Sequence, residues 1–308
     1  MPPPIRITDV SPRDGLQNEP GIISAADKVR LVRALLATGV DEIEVSSFVS
    51  AKWIPQLGDA AEVFASLRQG RADGSKPAFS ALVPNDRGLQ SALDVNHHAG
   101  FRLIAKVSVF TAASETFAKK NTNATIAETL DRFRPVIAAA HASGLLVRGY
   151  LSCVIACPFE GPIAPAAVAE VGRQLLDLGI DELDLGDTIG AGTPTSTRAM
   201  LAAVDRVCPI TDSASVPLTL HLHDTFGHAA ACVVESLAMG VRSFDAAVAG
   251  LGGCPYASTP GRRAPGNIST QTLVAAIRQA GFPVPVNDDA LTAAAELARQ
   301  LVTRTPIV

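Results

Sequence analysis

Gly39-Val-Asp-Glu-Ile-Glu-Val45 and Gly179-Ile-Asp-Glu-Leu-Asp-Leu185 are two copies of one pattern, and that pattern decides the fold. Each copy follows an Ala/Leu-rich stretch with helical spacing and passes through a single glycine into a short strand-like run. The same punctuation recurs in Gly100-Phe-Arg-Leu-Ile-Ala-Lys-Val107, Gly144-Leu-Leu-Val-Arg148 and Gly240-Val-Arg-Ser-Phe-Asp-Ala246. A glycine just past a helix end suits the left-handed position where a side chain would be strained. Joints of this kind imply repeated βα units with short αβ turns, and so a parallel sheet.

Working outward from these joints, strands are predicted near 5–10, 42–46, 78–83, 102–109, 145–152, 182–186, 217–223 and 243–248. Eight parallel strands in a chain of 308 residues close most simply as a (β/α)8 TIM barrel. An open doubly wound sheet is the alternative, but no Gly-x-Gly-x-x-Gly fingerprint follows the first strand. Residues 1–270 are assigned to the barrel. Residues 271–308 read as the last barrel helix and a small C-terminal helical extension of the same domain. The first helix illustrates the local signal: Ser24 caps it with Asp27 three residues on, Val29, Val32 and Leu36 share a face, and Gly39 ends it.

Composition narrows the function. Apolar residues make up 47% of the chain and charged residues 18%, a globular balance. A formal net charge of −4 provides no basic field for nucleic acid, so an anionic substrate must be held by local groups. No apolar run approaches the ~18 residues of a membrane span. The chain enters its first strand directly after Met-Pro-Pro-Pro4, which reads as no signal or transit peptide, and Thr-Pro-Ile-Val308 is no peroxisomal address. Its five scattered cysteines fit a reduced, cytoplasmic setting better than a disulfide framework.

Alternation says which side chains face the barrel interior. With Ile43 and Val45 turned to the helices, Glu44 and Ser46 point inward; Leu183 and Leu185 leave Asp184 inward. Leu218, Leu220 and Leu222 go outward, so Thr219, His221 and His223 share the inner face. Buried polar groups need partners, and several acids with two histidines on one interior suggest a metal. His221 and His223 project to one side of a strand, ~7 Å apart along it, so both imidazoles can meet one ion. A His-x-His pair alone reads more readily as two core histidines. Its place at the C-terminal end of the seventh strand, where barrel active sites lie, favours the ion.

Ser11-Pro-Arg-Asp-Gly-Leu-Gln-Asn18 follows strand one at the same mouth, so Asp14 can join the histidines. Taken alone, Arg13 and Asp14 are also an ordinary surface ion pair. Two imidazoles with oxygen ligands suit Mg²⁺ or Mn²⁺, and Zn²⁺ as well. Gly250-Leu-Gly-Gly-Cys-Pro255, after strand eight, is a flexible backbone that can approach a ligand, with Cys254 a proton donor or nucleophile at its tip.

Together these segments resemble 3-hydroxy-3-methylglutaryl-CoA lyase. The resemblance rests on Pro12–Glu19, Ser46–Ser50, Ala113–Phe117, Arg148–Tyr150, Leu185–Gly190, His221–Thr225, Gly250–Ala257 and Gly266-Asn267, in the family's order. It implies a metal-dependent retro-Claisen cleavage of an acyl-CoA substrate to acetyl-CoA and acetoacetate. It implies Asp14, His221, His223 and Asn267 as ligands of a divalent metal, Mg²⁺ or Mn²⁺. Arg13 would stabilise the enolate, Asp14 with His221 would take the hydroxyl proton, and Cys254 would enter the proton transfers. Glu44 would orient Arg13 or a neighbour, while Tyr150, Asp187 and Thr188 would line the substrate pocket or serve in packing. The resemblance also implies a homo-oligomer, a dimer.

Residues 257–265 depart from the family in being longer and more basic; Arg262 and Arg263 are either CoA-phosphate contacts or a solvated insertion. Rival readings are a lyase for another 3-hydroxyacyl-CoA, a condensing synthase, or a silent metal- or CoA-binding protein. Synthases usually carry His-Asn-Asp where this chain has His223-Asp-Thr225, and they lack the Gly-Gly-Cys-Pro loop.

Overall fold

The computed structural model describes residues 4–211, 217–253 and 266–304. Eight strands form the barrel: β1 (Arg6–Asp9), β2 (Glu42–Ser47), β3 (Ala78–Leu82), β4 (Lys106–Ala112), β5 (Leu146–Ser152), β6 (Glu182–Asp187), β7 (Leu218–Leu222) and β8 (Ser243–Ala246). Every neighbouring pair is parallel, and β8 closes on β1 with Thr8 opposite Asp245. The barrel reading is therefore right and the open sheet is wrong. A short antiparallel ladder, Ala156–Cys157 with Gly161–Pro162, follows β5.

Seven predicted strands lie within two residues of their observed ends, but the fourth is displaced to Lys106–Ala112. The segment before it is tied elsewhere: Ile104 N–H donates to the Asn96 side chain at 2.8 Å, and Leu103 N–H to the Phe101 carbonyl at 2.9 Å. Those donors serve the preceding helix, Asp86–Ala99, and a tight turn, so pairing with β3 starts only at Lys106. Gly100 ends that helix with a φ of 79°, as the helix–glycine–strand punctuation requires.

Helix α1 (Ala25–Leu36) begins as read, with Ser24 Oγ accepting from Asp27 N–H at 3.2 Å. Its buried face differs, however. Leu31 and Leu35 join Val29 and Val32 in the core, whereas Leu36 is only half-buried. The final helices, Thr270–Gln279 and Asp288–Arg304, complete the outer ring, the last one packing on α1.

The outward leucines of β6 and β7 lie in the apolar layer between sheet and helices. The inside of the barrel is not the usual aliphatic stack. Lys106 Nζ contacts Glu42 at 2.6 Å and Glu182 at 2.5 Å. Arg148, fully buried, reaches Glu182 at 2.7 Å, Asp245 at 3.2 Å, Glu42 at 3.4 Å and the Thr8 hydroxyl at 3.0 Å. This ionic interior is the floor on which the mouth residues stand.

Candidate active site

Arg13 and Asp14 occupy a single π-helical turn, Ser11–Gly15, at the C-terminal end of β1. Both Asp14 and Gly15 N–H groups donate to the Val10 carbonyl, at 2.8 and 3.1 Å. Widened turns of this type re-aim side chains and recur at functional sites. Asp9 anchors the turn, accepting from Ser11, from Val248 N–H at 3.2 Å and from Thr270 Oγ1 at 2.8 Å. Burial lifts the Asp9 carboxyl to about 6 despite these donors. It thereby ties the exits of β1 and β8 to the start of the helix that follows.

The turn carries Arg13 inward, buried, with Nε 2.5 Å from Glu44 Oε2 and one terminal nitrogen 2.7 Å from Asp14 Oδ1. Its guanidinium also lies 5.5 Å from the centre of the Tyr150 ring. Burial opposes the charge, but Glu44 and Asp14 outweigh it and raise the Arg13 pKa, so the guanidinium stays cationic. Glu44 is held by three donors: Arg13, Ser108 Oγ at 3.0 Å and the Tyr150 hydroxyl at 3.2 Å.

His221, next to last in β7, lies beside this pair. Its Nδ1 lies 3.1 Å from Asp245 Oδ2, and its Nε2 3.3 Å from His223 Nε2 and 3.9 Å from Asp14 Oδ2. Burial disfavours the imidazolium, yet the Asp245 hydrogen bond and the Asp14 charge prevail and raise the His221 pKa. His223 moves the other way, to about 4, because burial and neighbouring His221 both disfavour its charge. Burial also resists ionisation of Asp14, but Arg13 and the two histidines bring it down to about 2. One anionic carboxylate thus faces a neutral imidazole and a carboxylate-backed one.

Asn267 reaches the same place through the backbone. His223 and Asn267 form an antiparallel bridge, with Ile268 N–H on the Leu222 carbonyl at 2.8 Å and Asp224 N–H on Gly266 at 2.9 Å. Asn267 Nδ2 donates to Asp14 Oδ2 at 2.8 Å and to the Leu251 carbonyl at 2.9 Å. Among the described residues its buried Oδ1 has no partner, nor has His223 Nδ1.

These features fit a divalent cation. Asp14, His221 and His223 each offer a ligand atom, all within 4.8 Å of one another, and Asn267 adds a buried unpartnered carbonyl oxygen. The Asp245 carboxylate behind His221 leaves Nε2 as the free lone pair, the usual arrangement for a metal-ligating histidine. Charge points the same way. Even with Asp184 left out as protonated, the acids Asp14, Glu42, Glu44, Glu182 and Asp245 inside and at the mouth outnumber the bases Arg13, Lys106 and Arg148.

Gly252 lies against this cluster with a φ of 96°. A Cβ there would stand 2.5 Å from Asn267 Nδ2 and 3.0 Å from Asp14 Oδ2. Gly252→Ala is therefore expected to weaken divalent-metal affinity by about tenfold or more, because both partners must move. Calorimetric metal titration checks this; an unchanged affinity contradicts the packing argument.

Among the remaining site residues, Tyr150 bridges Glu44, Asp245 and Arg148 within 3.2 Å. Asp187 is committed to its own loop, accepting from Ala191 N–H at 3.1 Å and Gly192 N–H at 2.7 Å, with burial lifting its carboxyl to about 6. Thr188 Oγ1 accepts from Cys153 N–H at 2.8 Å. Both interactions shape the mouth loops. Cys254, Arg262 and Arg263 lie outside the described residues.

Sequence reasoning assigned no role to Asp245, Lys106, Glu42 or Glu182, and used Arg148 only as part of a motif. The alternation that exposed Asp184 applies to Phe244-Asp245-Ala246 and Val147-Arg148 equally well, so the signal was present.

A family model described as HMGL-like matches residues 4–298. The chain belongs to the HMGL-like family. Among its relatives, a Pseudomonas aeruginosa protein named 3-hydroxy-3-isohexenylglutaryl-CoA/hydroxy-methylglutaryl-CoA lyase is 45% identical over 89% of this chain and 85% of its own length. The crystal structure of the HMG-CoA lyase from Brucella melitensis superposes with a TM-score of 0.88 at 43% identity, covering 97% of this chain and 99% of that one. An Acinetobacter baumannii HMG-CoA lyase, solved with coenzyme A and 3-methylmalate, is 31% identical with a TM-score of 0.85 over 99% of this chain and 93% of its own. The HMGL-like fold thus runs through all the elements described above. No described helix is long and apolar enough to cross a membrane.

Proposed function

We propose that this protein is a carbon–carbon lyase that cleaves 3-hydroxy-3-methylglutaryl-CoA into acetyl-CoA and acetoacetate. The observation that carries the reading is the junction of the Arg13–Asp14 turn with His221, His223 and Asn267 at one mouth, on a chain of the HMGL-like family. The names of its relatives, and the coenzyme A complex of one of them, support an acyl-CoA substrate.

In this reaction the C3 hydroxyl loses its proton and C3 becomes a ketone. The C2–C3 pair passes to the acetyl-CoA fragment as an enolate, which then takes a proton at carbon. A bound divalent cation, Mg²⁺ or Mn²⁺ by ligand type, supplies Lewis-acid polarisation of hydroxyl and carboxylate oxygens. Asp14, His221, His223 and Asn267 would hold it.

Arg13 holds fixed positive charge at the mouth, buried and locked by Glu44, where a developing enolate oxygen gains most from it. Asp14 with His221 is the proposed acceptor of the hydroxyl proton. Asp14, at about 2, is a weak base, which suits a ligand better than a sole proton acceptor. His221 has only Nε2 for either task, since Nδ1 is committed to Asp245.

The glycines leading into Cys254 run against Asp14 and Asn267, which supports a place for its thiol in the proton transfers. Cys254→Ser is expected to lower kcat by about 10²-fold or more, the scale of a positioned proton donor; near-normal turnover removes the cysteine from the mechanism. A homodimer and a cytoplasmic location belong to the same proposal, supported by family likeness and by cysteine usage. A panel of 3-hydroxyacyl-CoA thioesters, assayed with Mg²⁺ and Mn²⁺ for acyl-CoA products, tests the substrate. Preference for a longer 3-substituent would replace the methyl compound with a bulkier one.

A further inference from the structure

A second concavity, of about 190 Å³, opens on the barrel face opposite the mouth. Arg6, Glu42 and Lys106 line it and are the first residues of β1, β2 and β4, so it lies at the N-terminal ends of the strands. Arg71, Lys76 and Arg102 complete its charged wall, giving five basic side chains and one acid.

The cations are not all spent on carboxylates. Lys106 is committed to Glu42 and Glu182, and Arg102 contacts Asp73 at 3.3 Å. Arg6 stands 3.9 Å from Glu42, a loose pairing at best. Arg71 and Lys76 pair with no carboxylate among the described residues. Arg71 is half-buried, its guanidinium 4.0 Å from the centre of the Phe79 ring. Its terminal nitrogens donate to the carbonyls of Ser75, Lys76 and Pro77 at 3.3, 3.4 and 2.5 Å. Its Nε is buried and has no partner among the described residues.

A half-buried guanidinium without a counter-charge is costly, and burial alone lowers the Arg71 pKa. The backbone carbonyls fix its plane, so the group is held in place ahead of any ligand. Glu42 would repel an anion, but Lys106 at 2.6 Å and Arg148 at 3.4 Å offset its charge from within. Nη2 gives both of its N–H groups to carbonyls and Nη1 gives one, which leaves one charge-assisted Nη1 donor for an oxyanion oxygen.

We propose that this concavity binds a tetrahedral oxyanion, either inorganic phosphate or the phosphate of a small ester, with Arg71 as its central ligand and Arg6, Lys76 and Arg102 around it. The site shares no residue with the mouth and stands independently of the proposed cleavage.

The test is calorimetric titration of the metal-loaded full chain at constant ionic strength, with the arginine variants below separating this site from the mouth. Orthophosphate is titrated in one arm and glycerol 3-phosphate in a second; the tighter arm identifies the source of the oxyanion. Saturable binding at one site per chain is expected. Arg71→Gln should weaken it by about tenfold or more, and Arg6→Gln, whose side chain is 42% exposed, by about threefold. Neither variant should change turnover. Should Arg71→Gln fail to fold, Arg6→Gln and Arg102→Gln decide the matter. Binding that survives unchanged in the folded variants, or heat that chloride reproduces, overturns the proposal.

Discussion

Arg13→Met is expected to lower kcat by about 10²–10³-fold while leaving divalent-metal affinity unchanged or slightly tighter. The two effects separate because Arg13 touches Asp14 through Oδ1 at 2.7 Å, whereas Asn267 contacts Oδ2. Removing the guanidinium releases a competitor for the Asp14 charge without displacing either histidine. It also strips from Glu44 its shortest contact, the 2.5 Å bond from Nε, and leaves that buried acid with Ser108 and Tyr150. Breaking one side of a buried ion pair costs about 3–5 kcal/mol, so the variant should also melt earlier. Arg13→Lys should recover little, since one ammonium cannot span Glu44 and Asp14 in the geometry of a fork. Steady-state kinetics beside metal calorimetry and thermal unfolding check this. An unchanged kcat would remove Arg13 from the chemistry, and a collapse of metal affinity would reassign it to the ligand set.

The second large effect contrasts two neighbouring acids. Asp245→Asn is expected to weaken metal affinity by about 10–100-fold. Asp245 accepts from His221 Nδ1 at 3.1 Å, from Tyr150 at 3.2 Å and from Arg148 at 3.2 Å. Burial opposes its ionisation, but Arg148 and His221 prevail and hold its carboxyl below the usual range. An amide there removes the charge that Arg148 faces and offers His221 an ambiguous partner. Asp184→Asn should do far less, changing stability by under about 1 kcal/mol. Burial first, then the Asp245 charge, push the Asp184 carboxyl well up and favour its protonated form. Among the described residues its oxygens accept no hydrogen bond, its protonated form donates to Asp245, and Arg148 comes no closer than 3.5 Å. An isosteric amide therefore changes little. Equal effects of the two substitutions on metal binding would contradict this division of charge.

The barrel was legible in the sequence because its signals are local. A glycine after a helix and a run of alternating leucines need no knowledge of the rest of the chain, and both survive in Gly100 and in β7. The inward set Glu44, Asp184, His221 and His223 followed from the same alternation, and the structure gathers Glu44 and the histidines around Arg13 and Asp14. Less legible was what depends on distant partners. Ile104 looks like strand, yet it satisfies Asn96 instead, so the fourth strand begins late. Asp187 and Thr188 sit in a motif that reads as pocket, and their oxygens also accept from backbone N–H groups, which spacing along the chain does not show. The Lys106–Glu182–Arg148–Asp245 floor joins four strands. No single segment signals it, although each member lies on an inward position. Asn267 is set by a backbone bridge to His223 across the mouth, which spacing along the chain could not show.

The most direct test of the central claim is turnover of 3-hydroxy-3-methylglutaryl-CoA by the chelator-stripped protein, before and after addition of Mg²⁺ or Mn²⁺. The predicted result is acetyl-CoA and acetoacetate in equal amounts, absent from the stripped protein and restored by the cation. Cleavage that persists after exhaustive chelation, or no products with the metal restored, would contradict it.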